Sequence, residues 1–192
     1  MKKSLSRFSS TLALVAPAAA LFVSHADAAA YIKFDGIDGE SQDKDHKGWS
    51  DLQSYSWAVS QSSQVAGGGA GKVSVKDFSI VHRIDKSSPM LFLATAEGRV
   101  IPTVTLSMTR NVGGREVEYY KITMKDVLIS SISSSSLPAT ATEGDRVVET
   151  VSFRVFPKVE IEYTPIDEAT GLPTGEVVTS GEIETDPPVA TN

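Results

Sequence analysis

Four groupings in this chain have residue types that could do chemistry. The first is Gly67-Gly68-Gly69-Ala70-Gly71-Lys72. A glycine loop ending in lysine can cradle phosphate, because its backbone N–H groups come close to an anion. That motif requires glycine at position 66 and a hydroxyl at 73, where the chain has Ala66 and Val73. The loop therefore reads as a connection between strands. The second is the acidic run Asp35, Asp38, Glu40, Asp43, Asp45. A calcium loop starting at Asp43 needs an acid or amide at Lys47 and a glutamate at Ser54, and it has neither. The third pair, His46 and His82, has no partner at metal-ligand spacing and reads as surface or half-buried histidine. The fourth is the serine-rich stretch Ser54, Ser56, Ser60 and Ser62, which offers hydroxyls without an adjacent base.

Composition narrows the classes further. The chain has no cysteine, which removes disulfide scaffolds, thiol nucleophiles and thiolate metal sites. No Gly-x-Ser-x-Gly nucleophile elbow occurs. Aromatic residues are only 7%, which disfavours a sugar-stacking cleft. The sequence thus presents no catalytic set, no cofactor and no metal centre. Lys+Arg 18 against Asp+Glu 24 gives a net charge of −6, opposite to the basic surplus of a nucleic-acid binder.

The elements that position these groups follow a leader. Lys2, Lys3 and Arg7 precede an apolar run from Thr11 to Val23, and Ala26-Asp27-Ala28 supplies small residues for a signal peptidase. The run is too short for a ~30 Å hydrocarbon core at ~1.5 Å per residue. Residues 1–28 are therefore expected to be a signal peptide, 29–181 one β-domain, and 182–192 a flexible tail. The expected location is secreted or periplasmic, with no membrane span.

Alternation with a period of two dominates the domain. Ile32 and Phe34 share a face, as do Val104, Leu106 and Met108, then Tyr120, Ile122 and Met124, then Val151, Phe153 and Val155, then Val159, Ile161 and Tyr163. These predict half-buried antiparallel strands. Val73 and Val75 fall out of phase with Phe78 and Ile80, which predicts a bulge near Lys76-Asp77. Ser88 as N-cap, Pro89 in the first turn and Gly98 after Glu97 predict one short helix. Gln64–Gly71, Ser130–Gly144 and Asp167–Gly175 read as loops. The expected fold class is all-β, mainly antiparallel: a two-sheet β-barrel or sandwich with one short flanking helix.

The segment Asp51 to Ser62 is unusual. Its odd positions carry Gln53, Tyr55, Trp57, Val59 and Gln61; its even positions carry Ser54, Ser56, Ala58, Ser60 and Ser62. A strand shows these sets to opposite faces. One face has bulky anchors and the other a strip of small groups. That strip either packs against backbone, meets water, or forms a smooth wall that holds cargo without gripping it.

A family resemblance joins these features. Tyr31-Ile32-Lys33-Phe34-Asp35-Gly36-Ile37 with Gly39-Glu40-Ser41 resembles the opening of the Hcp family, the haemolysin-coregulated tube proteins of type VI secretion. Tyr55-Ser56-Trp57, Gly67 to Val73, Asp85-Lys86-Ser87-Ser88-Pro89, Glu118-Tyr119, Glu143-Gly144-Asp145-Arg146 and Val159 to Pro165 match it in order. The resemblance spans about residues 31 to 165. It implies a barrel with one helix, a homo-hexameric ring, and stacking of rings into a tube that carries effector proteins behind a spike protein. It places Ser56 at the lumen, with Ser54 and Ala58 on the same strip. It places Gln64, Gly67, Gly68, Gly69, Gly71 and Lys72 on the loop that reaches the next ring. The leader departs from the family, whose tube subunits assemble in the cytoplasm. An exported Hcp-like binding module or adhesin is the alternative.

Overall fold

The computed structural model describes residues 28–61, 73–136, 147–154, 158–180 and 183–184. Its strands are β1 (Ala28–Phe34), β2 (Ser50–Ser56), β3 (Val59–Gln61), β4 (Val73–Val75), β5 (Phe78–Arg83), β6 (Val100–Val112), β7 (Arg115–Ser136), β8 (Val147–Arg154), β9 (Lys158–Tyr163), β10 (Val178–Thr179) and β11 (Ile183–Glu184). Among the described residues one helix, α1 (Ser88–Glu97), lies between β5 and β6. All strand pairings are antiparallel. The order β7-β6-β1-β2-β5-β8 closes through a β7–β8 pairing into a six-stranded barrel. Strand β9 pairs outside this ring on β7 and carries β10 and β11. Closure removes sheet edges that otherwise recruit other chains.

The alternation sets the interior. Ile32, Phe34, Phe78, Ile80, Leu106, Ile122, Met124, Val151 and Phe153 are all at most 1% exposed. Phe153 packs face to face on Phe78 at 5.3 Å and receives Phe34 edge-on at 6.0 Å. Tyr55 stacks on the same Phe78 at 5.6 Å, which ties β2 to β5. Burying each such side chain contributes about 1.5–3 kcal/mol.

Strand β7 is long because it serves three ladders, the one with β9 running over Tyr120–Lys125. Its first part pairs with β6 and its last part with β8. The β6–β7 hairpin turns through Gly113 and Gly114, at φ 59 and 79, the left-handed pair that a two-residue turn requires. Asp126 also has positive φ, 55, and sits where the ladder steps over Pro102, which has no N–H to give.

Several local expectations change. Ser130–Ser136, expected as loop, continues β7, with an irregularity between Ile129 and Ser131. Serine has weak strand preference, but the ladder to β8 overrides it. The segment read as one strand from Asp51 forms two, β2 and β3, as far as Gln61. The break at Trp57-Ala58 is fixed by Trp57 Nε1 donating to the Lys76 carbonyl and Lys76 N–H donating to the Ala58 carbonyl. The phase change near Lys76-Asp77 is accordingly a move from the small β3–β4 sheet into the barrel. Ser88 is the first residue of α1; Ser87 holds the cap position, and its hydroxyl goes to Asp85. Gly98 ends the helix at φ 62, as its placement predicts. In the tail, Ile183 and Glu184 pair with Val159 and Lys158. No helix among the described residues is long and apolar enough to cross a membrane.

Candidate functional site

The strand registers assemble the small strip into a wall. Ser56 lies opposite Ser79, Ser79 opposite Ser152, and Ser152 opposite Ser131. The next row runs Ser54, Val81, Thr150, Ser133. Directly opposed residues share a face, so both rows point away from the core. Four strands at ~4.8 Å spacing make a wall roughly 14 Å across. Ser54, Ser56, Ser131 and Ser133 are exposed, while Ser79, Val81, Thr150 and Ser152 are half-buried. Ser79 and Ser152 hydroxyls bond to each other at 2.9 Å. Neither row carries a charge.

The anchors behind the wall fix which side of β2 faces outward. Tyr55 and Trp57 turn inward and pack against the core, with Trp57 5.9 Å from Phe78. Ser54, Ser56 and Ala58 are therefore held outward by the residues between them. At one end of the wall Arg154 Nε donates to Asp77 at 3.1 Å, and Ser130 donates to the same carboxylate at 2.7 Å. Burial works against the Asp77 charge, but the bonds from Ser130 and Arg154 hold its carboxyl below the usual range. Gln64, Gly67, Gly68, Gly69, Gly71 and Lys72 lie outside the described residues, as does the leader apart from Ala28.

The opposite side of the barrel is charged. The row Glu162, Lys121, Ser107, Tyr31 crosses β9, β7, β6 and β1, and Lys121 bridges Glu162 at 3.0 Å. His46 is fastened over this side and is buried, where the sequence reading expected a surface or half-buried histidine. Its Nδ1 meets Asp43 at 2.7 Å and its Nε2 meets Ser107 at 2.9 Å. The ring stacks on Tyr31 at 4.1 Å and meets Trp49 edge-on at 5.0 Å. The connectivity is that of a serine–histidine–aspartate relay. Ser107, however, is fully buried and donates its proton to Glu118. A nucleophile must be exposed and must give its proton to the base, so this set clamps the segment between β1 and β2 instead. A cleft of about 580 Å³ lies beside it, lined by His46, Trp49, Glu116, Glu118 and Lys121.

The clamp shifts two groups. Burial, together with the Glu116 carboxylate that accepts its hydroxyl proton at 2.9 Å, pushes Tyr31 well up. Burial works against the Asp43 charge, yet hydrogen bonds from His46, the Asp45 N–H and others hold it down to about 2. His82 is likewise buried, with Nε2 3.2 Å from Glu149 inside the barrel. Among the described residues no group of three or more acids and histidines could hold a metal ion.

The sequence picked out Ser54, Ser56 and Ala58 but missed Ser79, Thr150, Ser152, Ser131 and Ser133. A signal existed: Ser79 and Ser152 each sit between two buried apolar residues, in the outward phase of a strand. Which strands adjoin was not readable from that signal.

A closed antiparallel barrel, one flanking helix and a neutral hydroxyl wall on one side place the described residues in the all-β barrel class. The comparisons agree with that class. The family described as type VI secretion system effector, Hcp, matches residues 31–163. Protein Hcp1 of Pseudomonas aeruginosa is 38% identical over 154 residues, covering 79% of this chain and 91% of that protein. The crystal structure of Hcp1 from Salmonella typhimurium superposes with a TM-score of 0.63 at 32% identity, covering 81% of this chain and 93% of that one. A type VI secretion system effector from Yersinia pestis gives 0.62 at 27% identity, covering 81% and 99%. The chain belongs to the Hcp family of type VI secretion proteins.

Proposed function

We propose that this protein is a non-enzymatic tube subunit: six copies close into a ring whose bore is paved by the hydroxyl wall, and rings stack into a conduit for effector proteins. Ser54, Ser56 and Ala58 face the cargo, together with Ser79, Ser131, Ser133, Thr150 and Ser152. The loop bearing Gln64, Gly67, Gly68, Gly69, Gly71 and Lys72 reaches the next ring, and a spike protein caps the stack. The leader at 1–28 directs export, so the assembled form is secreted or periplasmic.

The supporting observation is that the Ser56 and Ser54 rows carry no charge and that their one apolar side chain is the half-buried Val81. A conduit must stay hydrated without trapping what passes. A serine hydroxyl exchanges water for a cargo partner at a net gain of only about 0.5–1.5 kcal/mol. Charged walls would hold cargo of the opposite sign and exclude cargo of the same sign. The charged side bearing Lys121 and Glu162 faces away from the bore in this reading.

The test is the solution mass of the mature protein by light scattering at several concentrations. Six copies per particle are expected. A monomer at every concentration overturns the reading and favours an exported binding module of the same fold.

A further inference from the structure

We propose that His46 carries a proton on both ring nitrogens in the folded protein, a buried imidazolium that latches residues 35–49 to the charged side of the barrel, and that losing one of those protons opens the latch. The proposal does not depend on the ring of copies.

The proton count comes from the partners. Asp43 Oδ1 meets His46 Nδ1 at 2.7 Å and also accepts the backbone N–H groups of Asp45 and His46 at 3.0 and 2.9 Å. Burial works against the Asp43 charge, yet these bonds keep it a carboxylate with no proton to give. Nδ1 therefore supplies the proton of that contact. On the other side Nε2 meets Ser107 Oγ at 2.9 Å. A serine hydroxyl has one proton, and that of Ser107 goes to Glu118. Nε2 therefore supplies a second proton. A neutral imidazole donates from one nitrogen, so a ring that donates from both is a cation.

The surroundings suit that charge. Tyr31 of β1 lies flat against the ring, with 4.1 Å between centroids and 9° between planes, and offers its π face to the cation. Its hydroxyl is turned away to Glu116. The charged groups nearby leave acids over. On the segment itself Lys44 is taken by Asp45, and on β1 Lys33 is taken by Asp38. Asp51 of β2 adds a further acid beside Tyr31. Lys121 of β7 lies 3.0 Å from Glu162 on β9 and 4.0 Å from Glu118. Strand β6 brings the hydroxyls of Thr105, Ser107 and Thr109. Asp43, Glu116 and Glu118 thus face a ring whose positive charge balances them.

Neutralising the ring sets acceptor against acceptor. A bare Nδ1 would face the Asp43 carboxylate. A bare Nε2 would face the Ser107 oxygen, whose own proton is engaged. Ser107 could turn that proton to Nε2 only by leaving Glu118 without its donor. Each arrangement strands a buried polar group. His82 is the contrast within the same molecule. Its Nε2 lies 3.2 Å from Glu149, and its Nδ1 has no hydrogen-bond partner among the described residues. One proton satisfies that ring.

The test reads the protons directly. Two-bond proton–nitrogen NMR of the labelled mature protein separates N–H from bare ring nitrogen, and His46→Gln assigns the signals. Both His46 nitrogens are expected to be protonated at neutral pH. In Glu118→Gln the side-chain amide donates to Ser107, whose hydroxyl is then free to turn to Nε2. That variant, folded by circular dichroism, is expected to show one bare His46 nitrogen at the same pH. Trypsin cutting at Lys44 and Lys47 reads the latch, measured against an unstructured reference peptide. Cleavage of wild type is expected to rise several-fold as alkali removes the second proton. A bare nitrogen on wild-type His46 at neutral pH overturns the imidazolium. Two protons retained in folded Glu118→Gln overturn the proton count. Unchanged cleavage while the ring loses its proton overturns the latch.

Discussion

Ser79 and Ser152 face each other across β5 and β8 with their hydroxyl oxygens 2.9 Å apart, at the centre of a row that begins at Ser56 and ends at Ser131. The bond orients two hydroxyls that would otherwise rotate freely. It lies on the side opposite Phe78 and Phe153, which stack directly behind it. The neutral surface and the rigid core are thus two sides of the same pair of strands.

Replacing Ser56 with arginine puts a bulky charge on the wall while leaving the core alone. Ser56 is exposed and makes no core contact, so stability is expected to stay within about 0.5 kcal/mol. Circular dichroism and light scattering should show an unchanged fold and ring. Co-purification of effector cargo should fall sharply.

Phe153→Ala removes the ring between Phe34 and Phe78. A loss of about 3–5 kcal/mol is expected, as for other buried phenylalanine truncations. Urea denaturation followed by tryptophan fluorescence reads it. A change near that of a surface substitution would mean that the aromatic stack is not the centre of the core.

Gly39→Ala tests the segment between β1 and β2. A Cβ there would collide with the Trp49 carbonyl and with Ser50 Oγ. Backbone cannot move away as a side-chain tip can, so a cost of about 1–3 kcal/mol is expected. Proteolysis should cut this segment first.

Acid should loosen the same segment through Asp43. Its folded-state value is depressed, so its contribution is present above the unfolded carboxylate value near 4 and is lost as pH falls toward about 2. Wild type should lose stability over that window faster than Asp43→Asn. Equal acid slopes for the two proteins would show that Asp43 carries no part of the clamp.

Legibility from the sequence followed the range of the interactions. The strands through Leu106 and Ile122 show in the alternation because each has one wet and one dry face. Helix α1 shows in its proline and its terminal glycine. Together these carried the fold class, and the resemblance to Hcp in the runs at Tyr31 and Val159 pointed to the same one. By contrast, Ser107 and His46 meet across sixty-one positions, and nothing local marks that contact. Ser130–Ser136 reads as loop because its strand character comes from the β8 ladder, not from its own side chains. Ser56 stood out through the regular strip in its own strand, whereas Ser79, Ser131 and Ser152 joined it only once three registers were known.

The most direct measurement is an electron-microscopy reconstruction of the assembled mature protein at side-chain resolution. The account predicts a six-fold ring with Ser56, Ser79, Ser152 and Ser131 lining its central opening. A ring with that row buried between subunits, or turned to the outside, contradicts it.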